Sequence, residues 1–209
     1  MEINTEFTAP YYSRNNLELI LGSNRRTLDY RISILINKGI LERIRPGFYL
    51  NTKLLSLTSE KESFLEYVGT IAKYPSYVSL EYALSAYGLI PESIFTITYV
   101  TSKKPGTYSS KNISLKYRNI KPNLFNGYET RMYDKGSYLY AKKYKALFDF
   151  IYLTPTPNPN ALKEVLVNSR INWDALSLVE KGNFVEICKN SGSRKMANAI
   201  IILQKENIL

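Results

Sequence analysis

The 209-residue chain predicts an α+β protein: an N-terminal winged helix-turn-helix, then a larger domain with a small, mostly antiparallel sheet and a C-terminal helical bundle. Three observations predict it. Apolar residues recur at helical spacing up to Ile36 and then flank a Pro-Gly turn. From Phe95 to Tyr117 they alternate instead, as in half-buried strands. From Ala141 onward the helical period returns. The expected division is residues 1–55 and 59–209.

Each element has a local reason. Asn16–Leu21 reads as a short helix with Leu17, Ile20 and Leu21 on one side, closed by Gly22 in the left-handed conformation a helix end favours. Ser23 or Asn24 can cap a second helix, Arg25–Lys38, whose apolar side is Leu28, Ile32, Leu35 and Ile36. Gly39 ends it, and Ile40–Ile44 and Phe48–Leu50 flank Arg45-Pro46-Gly47 as a hairpin. Residues 51–58 read as a connection. Ser59 stands three before Glu62, the spacing of a capping box, at the head of an amphipathic helix to Lys73. Ser79–Tyr87 is another helix, stopped by Gly88 and Pro91. Phe95, Ile97 and Tyr99, then Ile113, Leu115 and Tyr117, predict two strands, with more at Tyr128–Tyr133 and Tyr138–Tyr140. Ala141–Leu153 is helical, Thr154–Pro159 is a loop because three prolines forbid helix there, and four short helices follow: Ala161–Val167, Trp173–Leu178, Phe184–Cys188 and Met196–Glu206.

Composition excludes much chemistry. With no histidine, Ser-His-Asp and Cys-His catalysis and His-held metals are out. The single cysteine, Cys188, allows neither an internal disulfide nor a cysteine zinc site. The longest apolar run, Ala199–Leu203, is far short of a membrane span, and Met1–Asn15 lacks the basic and apolar parts of a signal peptide, so a cytoplasmic protein with no membrane partner is expected. No phosphate-loop or dinucleotide fingerprint occurs, and no cofactor is expected.

The formal charge is +10, in a chain rich in Lys, Asn, Ile and Tyr, residues with A/T-rich codons. Such drift would spread charge evenly, yet residues 1–55, 56–100, 101–145 and 146–209 carry +3, −3, +9 and +1. That clustering points to a polyanionic partner. In a winged helix the start of the second helix enters the major groove, which places Asn24, Arg25, Arg26, Thr27, Tyr30 and Arg31 near DNA, with Arg43 and Arg45 holding the backbone from the wing. The arginine fork suits guanine O6 and N7. A second basic surface would comprise Lys103, Lys104, Lys111, Lys116, Arg118, Lys121 and Arg131. Two other readings stay open: a Mg²⁺-dependent nucleic-acid enzyme built on Glu62, Glu66 and Asp149, and an interaction module whose helical end, residues 160–209, binds a protein.

Four segments also resemble a known family. Gly39-Ile-Leu-Glu-Arg-Ile-Arg-Pro-Gly-Phe-Tyr-Leu50 is similar to the wing of AbiEi-type antitoxins. Pro75–Ile90 looks like the opening of that family's second domain, Thr96–Thr101 like its following strand, and Lys145-Ala-Leu-Phe-Asp149 like its K-A-L-x-D helix. The chain departs from the pattern at Tyr87, often histidine there, and at Tyr144, commonly glutamate. The resemblance implies a non-enzymatic antitoxin of a type IV toxin–antitoxin (abortive infection, phage defence) system. Its winged helix would bind repeats in double-stranded DNA upstream of its own operon and repress it. Its second domain would counteract a nucleotidyltransferase-like toxin without a stable complex.

Overall fold

The computed structural model describes residues 6–22, 25–134 and 136–209. Among them the protein is a mixed α+β structure with nine helices and two sheets. The chain opens with β1 (Tyr11–Ser13), α1 (Arg14–Leu21), α2 (Arg25–Asn37), β2 (Leu41–Arg45), β3 (Phe48–Asn51) and α3 (Thr52–Leu57). The three strands form an antiparallel sheet in the order β1-β3-β2.

Sequence logic holds well here. Ser13 and Asn16 form a reciprocal capping box at the head of α1, and Gly22, at φ +56°, closes it with its N–H on the Glu18 carbonyl. Leu17 and Leu21 are buried, but Ile20 is exposed, contrary to the sequence reading. They meet Leu28, Ile32 and Leu35 of α2 and Leu41, Tyr12 and Tyr49 of the sheet in a small core. The capping of α2 by Ser23 or Asn24 lies outside the described residues. The expected connection 51–58 instead contains α3, capped by Asn51, whose side chain accepts from the Leu54 N–H.

The second sheet has six strands: β4 (Ser76–Val78), β5 (Ile97–Thr101), β6 (Gly106–Ser109), β7 (Ser114–Asn119), β8 (Tyr128–Tyr133) and β9 (Gly136–Ala141). Their order is β6-β7-β5-β4-β9-β8. The sheet is therefore larger than the sequence suggested and mixed, because β5 lies parallel to β7 and β4 parallel to β9. No local pattern announces a parallel pairing between segments so far apart. β5 is buried at every residue because both faces of the sheet are covered, so the alternation from Phe95 was misleading, and Phe95 itself is 90% exposed.

Helix α4 (Lys61–Ala72) covers one face. Tyr99 and Tyr117, stacked at 4.8 Å, reach across and donate to the carbonyls of Glu66 and Gly69. Gly69 is required by this close approach, since an added Cβ would stand 2.0 Å from the Tyr99 hydroxyl oxygen. The expected Ser59 capping box is absent: α4 starts at Lys61, with Glu60 at its cap and no side-chain bond. On the other face lies α6 (Lys143–Leu153), which Tyr77 of β4 contacts through Asp149. Ser79, which precedes α5 (Leu80–Ala86), likewise donates to Asp149 rather than capping its helix.

Only two of the four short C-terminal helices are fully formed, as α8 (Leu178–Asn190) and α9 (Arg194–Lys205). Residues Pro159–Lys163 make one turn, α7, that widens into a π-type turn over Glu164–Asn168, and Trp173–Ala175 is a tight 3₁₀ turn.

The hairpin β2–β3 is shared between the two cores. Tyr49 points into the small one, while Ile44, Phe48 and Leu50 point into the large one with Phe64, Val68 and Tyr117. Period-two alternation makes this possible, because each strand offers an apolar side chain to both faces.

Candidate nucleic-acid interface

Helix α2 has a fixed orientation. Leu28, Ile32 and Leu35 are buried, and Arg31 is partly buried, donating from Nη1 to the Leu21 carbonyl that ends α1. Arg31 thus clasps α1 to α2 instead of standing with the outward residues, as the sequence reading had it. The outward face carries Arg26, Tyr30, Ser33 and Asn37, all exposed and spaced at i, i+4, i+7 and i+11, with Thr27 beside them. Tyr30 is 68% exposed. Asp29, the acid on this helix, is paired with Arg14. Asn24 and the side chain of Arg25 lie outside the described residues; the backbone makes Arg25 the first residue of α2.

The two hairpin arginines part company. Arg43 is exposed and pairs in register with Tyr49, so its side chain leaves the sheet on the face that holds α1 and α2. Past the register shift between Arg43 and Arg45, Arg45 turns the other way. Its Nε donates to the Ala72 carbonyl at 2.7 Å and its guanidinium lies 5.2 Å from the centre of the Phe48 ring. It ties the hairpin to the end of α4.

The basic segment 101–145 does not form one patch. Lys103, Lys104, Lys111, Lys116 and Lys121 are exposed. Arg118 is partly buried and donates from Nη2 to the Leu153 carbonyl at the end of α6. Arg131 lies 3.4 Å from the centre of the Tyr140 ring, donates to the Tyr87 hydroxyl at 2.9 Å and pairs with Glu129 at 3.3 Å. Both arginines are held by the fold. Among the lysines, Lys111 is at the β6–β7 turn, whereas Lys103, Lys104 and Lys121 are at the far end of β7, about 20 Å away at 3.3 Å per residue.

The near end is joined to the N-terminal sheet. The Asn112 backbone N–H donates to Glu42 Oε1 at 2.9 Å, and its amide side chain donates to Oε2. This clamp brings Lys111 beside the strand that carries Arg43. The contact had no signature in sequence, since 70 residues separate its partners.

The carboxylates named for metal chemistry do not converge. Val78 pairs with both Tyr99 and Tyr140, so Tyr138 shares their face and donates to Glu66 at 2.6 Å; Tyr77 and Asp149 lie on the opposite face. Burial pushes Glu66 above the usual carboxylate range, against the lowering effect of the Tyr138 and Tyr82 hydroxyls. Glu62 is exposed. Among the described residues no three Asp, Glu or Cys side chains gather as a metal site requires. No helix among them is long and apolar enough to cross a membrane.

No protein-family model matches the chain, and no curated protein matches it in sequence.

Proposed function

We propose that this protein reads double-stranded DNA through an N-terminal winged helix-turn-helix and represses its own operon as an AbiEi-type antitoxin. The observation that carries the DNA reading is the outward stripe of α2, where Arg26, Thr27 and Tyr30 stand exposed while the opposite side is locked by Leu28, Ile32 and Leu35. A helix held so rigidly presents the same donors to every site, which base recognition in the major groove needs. Arg43 supports phosphate contact from the same side, and Lys111 adds an exposed charge on the β6–β7 turn that the Glu42–Asn112 clamp joins to the strand of Arg43. Lys116 is exposed on the opposite face of β7 from Tyr117 and so does not continue this surface, and Arg45, Arg118 and Arg131 serve the fold. The antitoxin role and the toxin partner rest on the four resembling segments, of which Lys145-Ala-Leu-Phe-Asp149 is a helix whose Lys and Asp are both buried.

The test is titration of the protein into labelled DNA from upstream of its gene and into scrambled DNA, at about 50 and 200 mM salt. Preference for the upstream DNA persists at the higher salt, and Arg26→Ala reduces that preference by about tenfold, as expected for loss of one bidentate base contact. Lys111→Ala weakens both DNAs alike. Equal binding to both DNAs, lost at the higher salt, refutes sequence reading and leaves only a polyanion surface.

A further inference from the structure

A concavity lies between the loop after α6 and the start of α9. It measures about 210 Å³ and is lined by Thr156, Asn158, Leu162, Arg194, Lys195 and Asn198, among others. Two cations and no carboxylate stand on its wall. Lys195 donates to the carbonyls of Tyr152 and Thr154, and Arg118 donates to the carbonyl between them, that of Leu153. The two cations therefore converge on three consecutive residues at the end of α6, with Arg194 beside them. Crowding of this kind shows in Lys195, whose ammonium is pushed below its ordinary range by burial first and by the Arg118 charge second.

The remaining polar groups are of one kind. Among the described residues Arg194 is exposed and unpaired, the Asn198 amide has no partner, and Asn158 uses only its carbonyl oxygen, accepting from the Ala161 N–H at 2.8 Å. Its amide hydrogens remain available, as does the Thr156 hydroxyl. A wall of guanidinium, ammonium, amide and hydroxyl donors with no carboxylate complements a multiply charged oxyanion.

We propose that this concavity is a phosphate-binding site, taking either a phosphodiester of a nucleic-acid backbone or the phosphate of a small molecule, with Arg194 and Asn198 as its principal donors and Lys195 as its fixed positive charge. The backbone source rests on the DNA-binding reading above; the small-molecule source does not.

The full-length protein is titrated with pyrophosphate, following the Arg194 Nε–H and Asn198 amide signals by NMR, and separately with random-sequence duplex DNA across a salt series. Pyrophosphate shifts both signals saturably, and Arg194→Ala weakens binding about tenfold, the loss expected for a charge-assisted hydrogen bond. Asn198→Asp, which puts a carboxylate on the wall, weakens it as well. Lys163→Ala, outside the concavity and paired with Glu206, changes nothing. If Arg194→Ala also lowers random-DNA affinity and reduces the log–log salt slope by about 0.9, the phosphate belongs to a nucleic-acid backbone. If DNA binding is unchanged, the ligand is a small phosphorylated molecule. Absence of saturable shifts with pyrophosphate, or equal pyrophosphate binding by wild type and Arg194→Ala, overturns the proposal. Loss of sequence preference in the Arg26 experiment would leave the pyrophosphate result untouched, so the two readings fail separately.

Discussion

Replacing Lys145 by methionine tests the centre of the large domain. Lys145 and Asp149 are fully buried one helical turn apart, with Nζ and Oδ1 separated by 2.6 Å. The ammonium also donates to the Leu124 carbonyl at 2.8 Å, and Asp149 Oδ2 accepts from Tyr77 at 2.9 Å and from Ser79 at 2.8 Å. Removing one partner of such a pair costs about 3–5 kcal/mol, because the other charge is left without compensation. The Tyr77 and Ser79 hydroxyls still serve the carboxylate, which places Lys145→Met near the lower bound, about 3 kcal/mol. The double variant Lys145→Met, Asp149→Leu removes both charges and costs less than the sum of the singles, giving a coupling of about 2 kcal/mol or more. A pH signature follows. Burial pushes the Asp149 carboxyl above its ordinary range, and Lys145 opposes that rise. Without the lysine the folded-state value climbs further above the unfolded one. The stability gained by protonation is then present at acid pH and lost as pH rises through the folded value, so the variant's deficit is smaller at about pH 5 than at about pH 8. Urea unfolding followed by the fluorescence of Trp173, the sole tryptophan, measures all three quantities. A deficit below about 1 kcal/mol, additive singles, or no pH dependence would refute the account of a tightly coupled buried pair.

Three further outcomes are expected. Gly69→Ala destabilises by about 1–3 kcal/mol or more, because its Cβ falls 2.0 Å from the oxygen of a buried, stacked tyrosine; a neutral result in the same urea assay would mean Tyr99 can retreat. Arg45→Ala lowers stability by about 1–2 kcal/mol through loss of the Ala72 bond but leaves DNA affinity unchanged, and a parallel loss of DNA affinity would return Arg45 to the interface. Alkaline pH unfolds the protein steeply: burial pushes the Tyr87 hydroxyl and the Cys188 thiol up to about 12, and Tyr77 and Tyr99 well above the ordinary phenol range. These groups contribute stability below their unfolded values, about 8.5 for the thiol and 10 for phenols, and lose it as pH rises through the folded ones. Thermal midpoints should hold to about pH 8 and then fall, with much of the phenolate absorbance appearing only on unfolding; ionisation of all tyrosines near pH 10 in the folded state would contradict this.

The legible parts of the chain were those governed by neighbours in sequence. Gly22 and Gly39 marked helix ends at positive φ, Leu28, Ile32 and Leu35 marked the buried side of α2, and Pro46-Gly47 marked the hairpin turn. Arg26 and Asn37 stand outside as amphipathic spacing expects, because that spacing assigns both faces of a helix at once, and Thr27, Tyr30 and Arg43 are exposed as well. Arginine type and position could not distinguish Arg43 from Arg45, since a register shift between them decides which way each points. Arg118 and Arg131 carried the same basic signal as Lys116, yet Arg118 meets the Leu153 carbonyl 35 residues away and Arg131 meets the Tyr87 hydroxyl 44 residues away.

Sequence alone therefore determined α1, α2, the hairpin, the absence of histidine chemistry and the exposed stripe of α2, the helices and hairpin being set by interactions within one or two turns of the chain. Tertiary structure alone decided the parallel pairings of β5 with β7 and β4 with β9, the sharing of the β2–β3 hairpin between two cores, and which cations remain in solvent. Those outcomes depend on which distant carbonyl, ring or carboxylate a long side chain meets after the chain has closed on itself. The same guanidinium can bind a phosphate or a helix end, and only the packed fold selects between them.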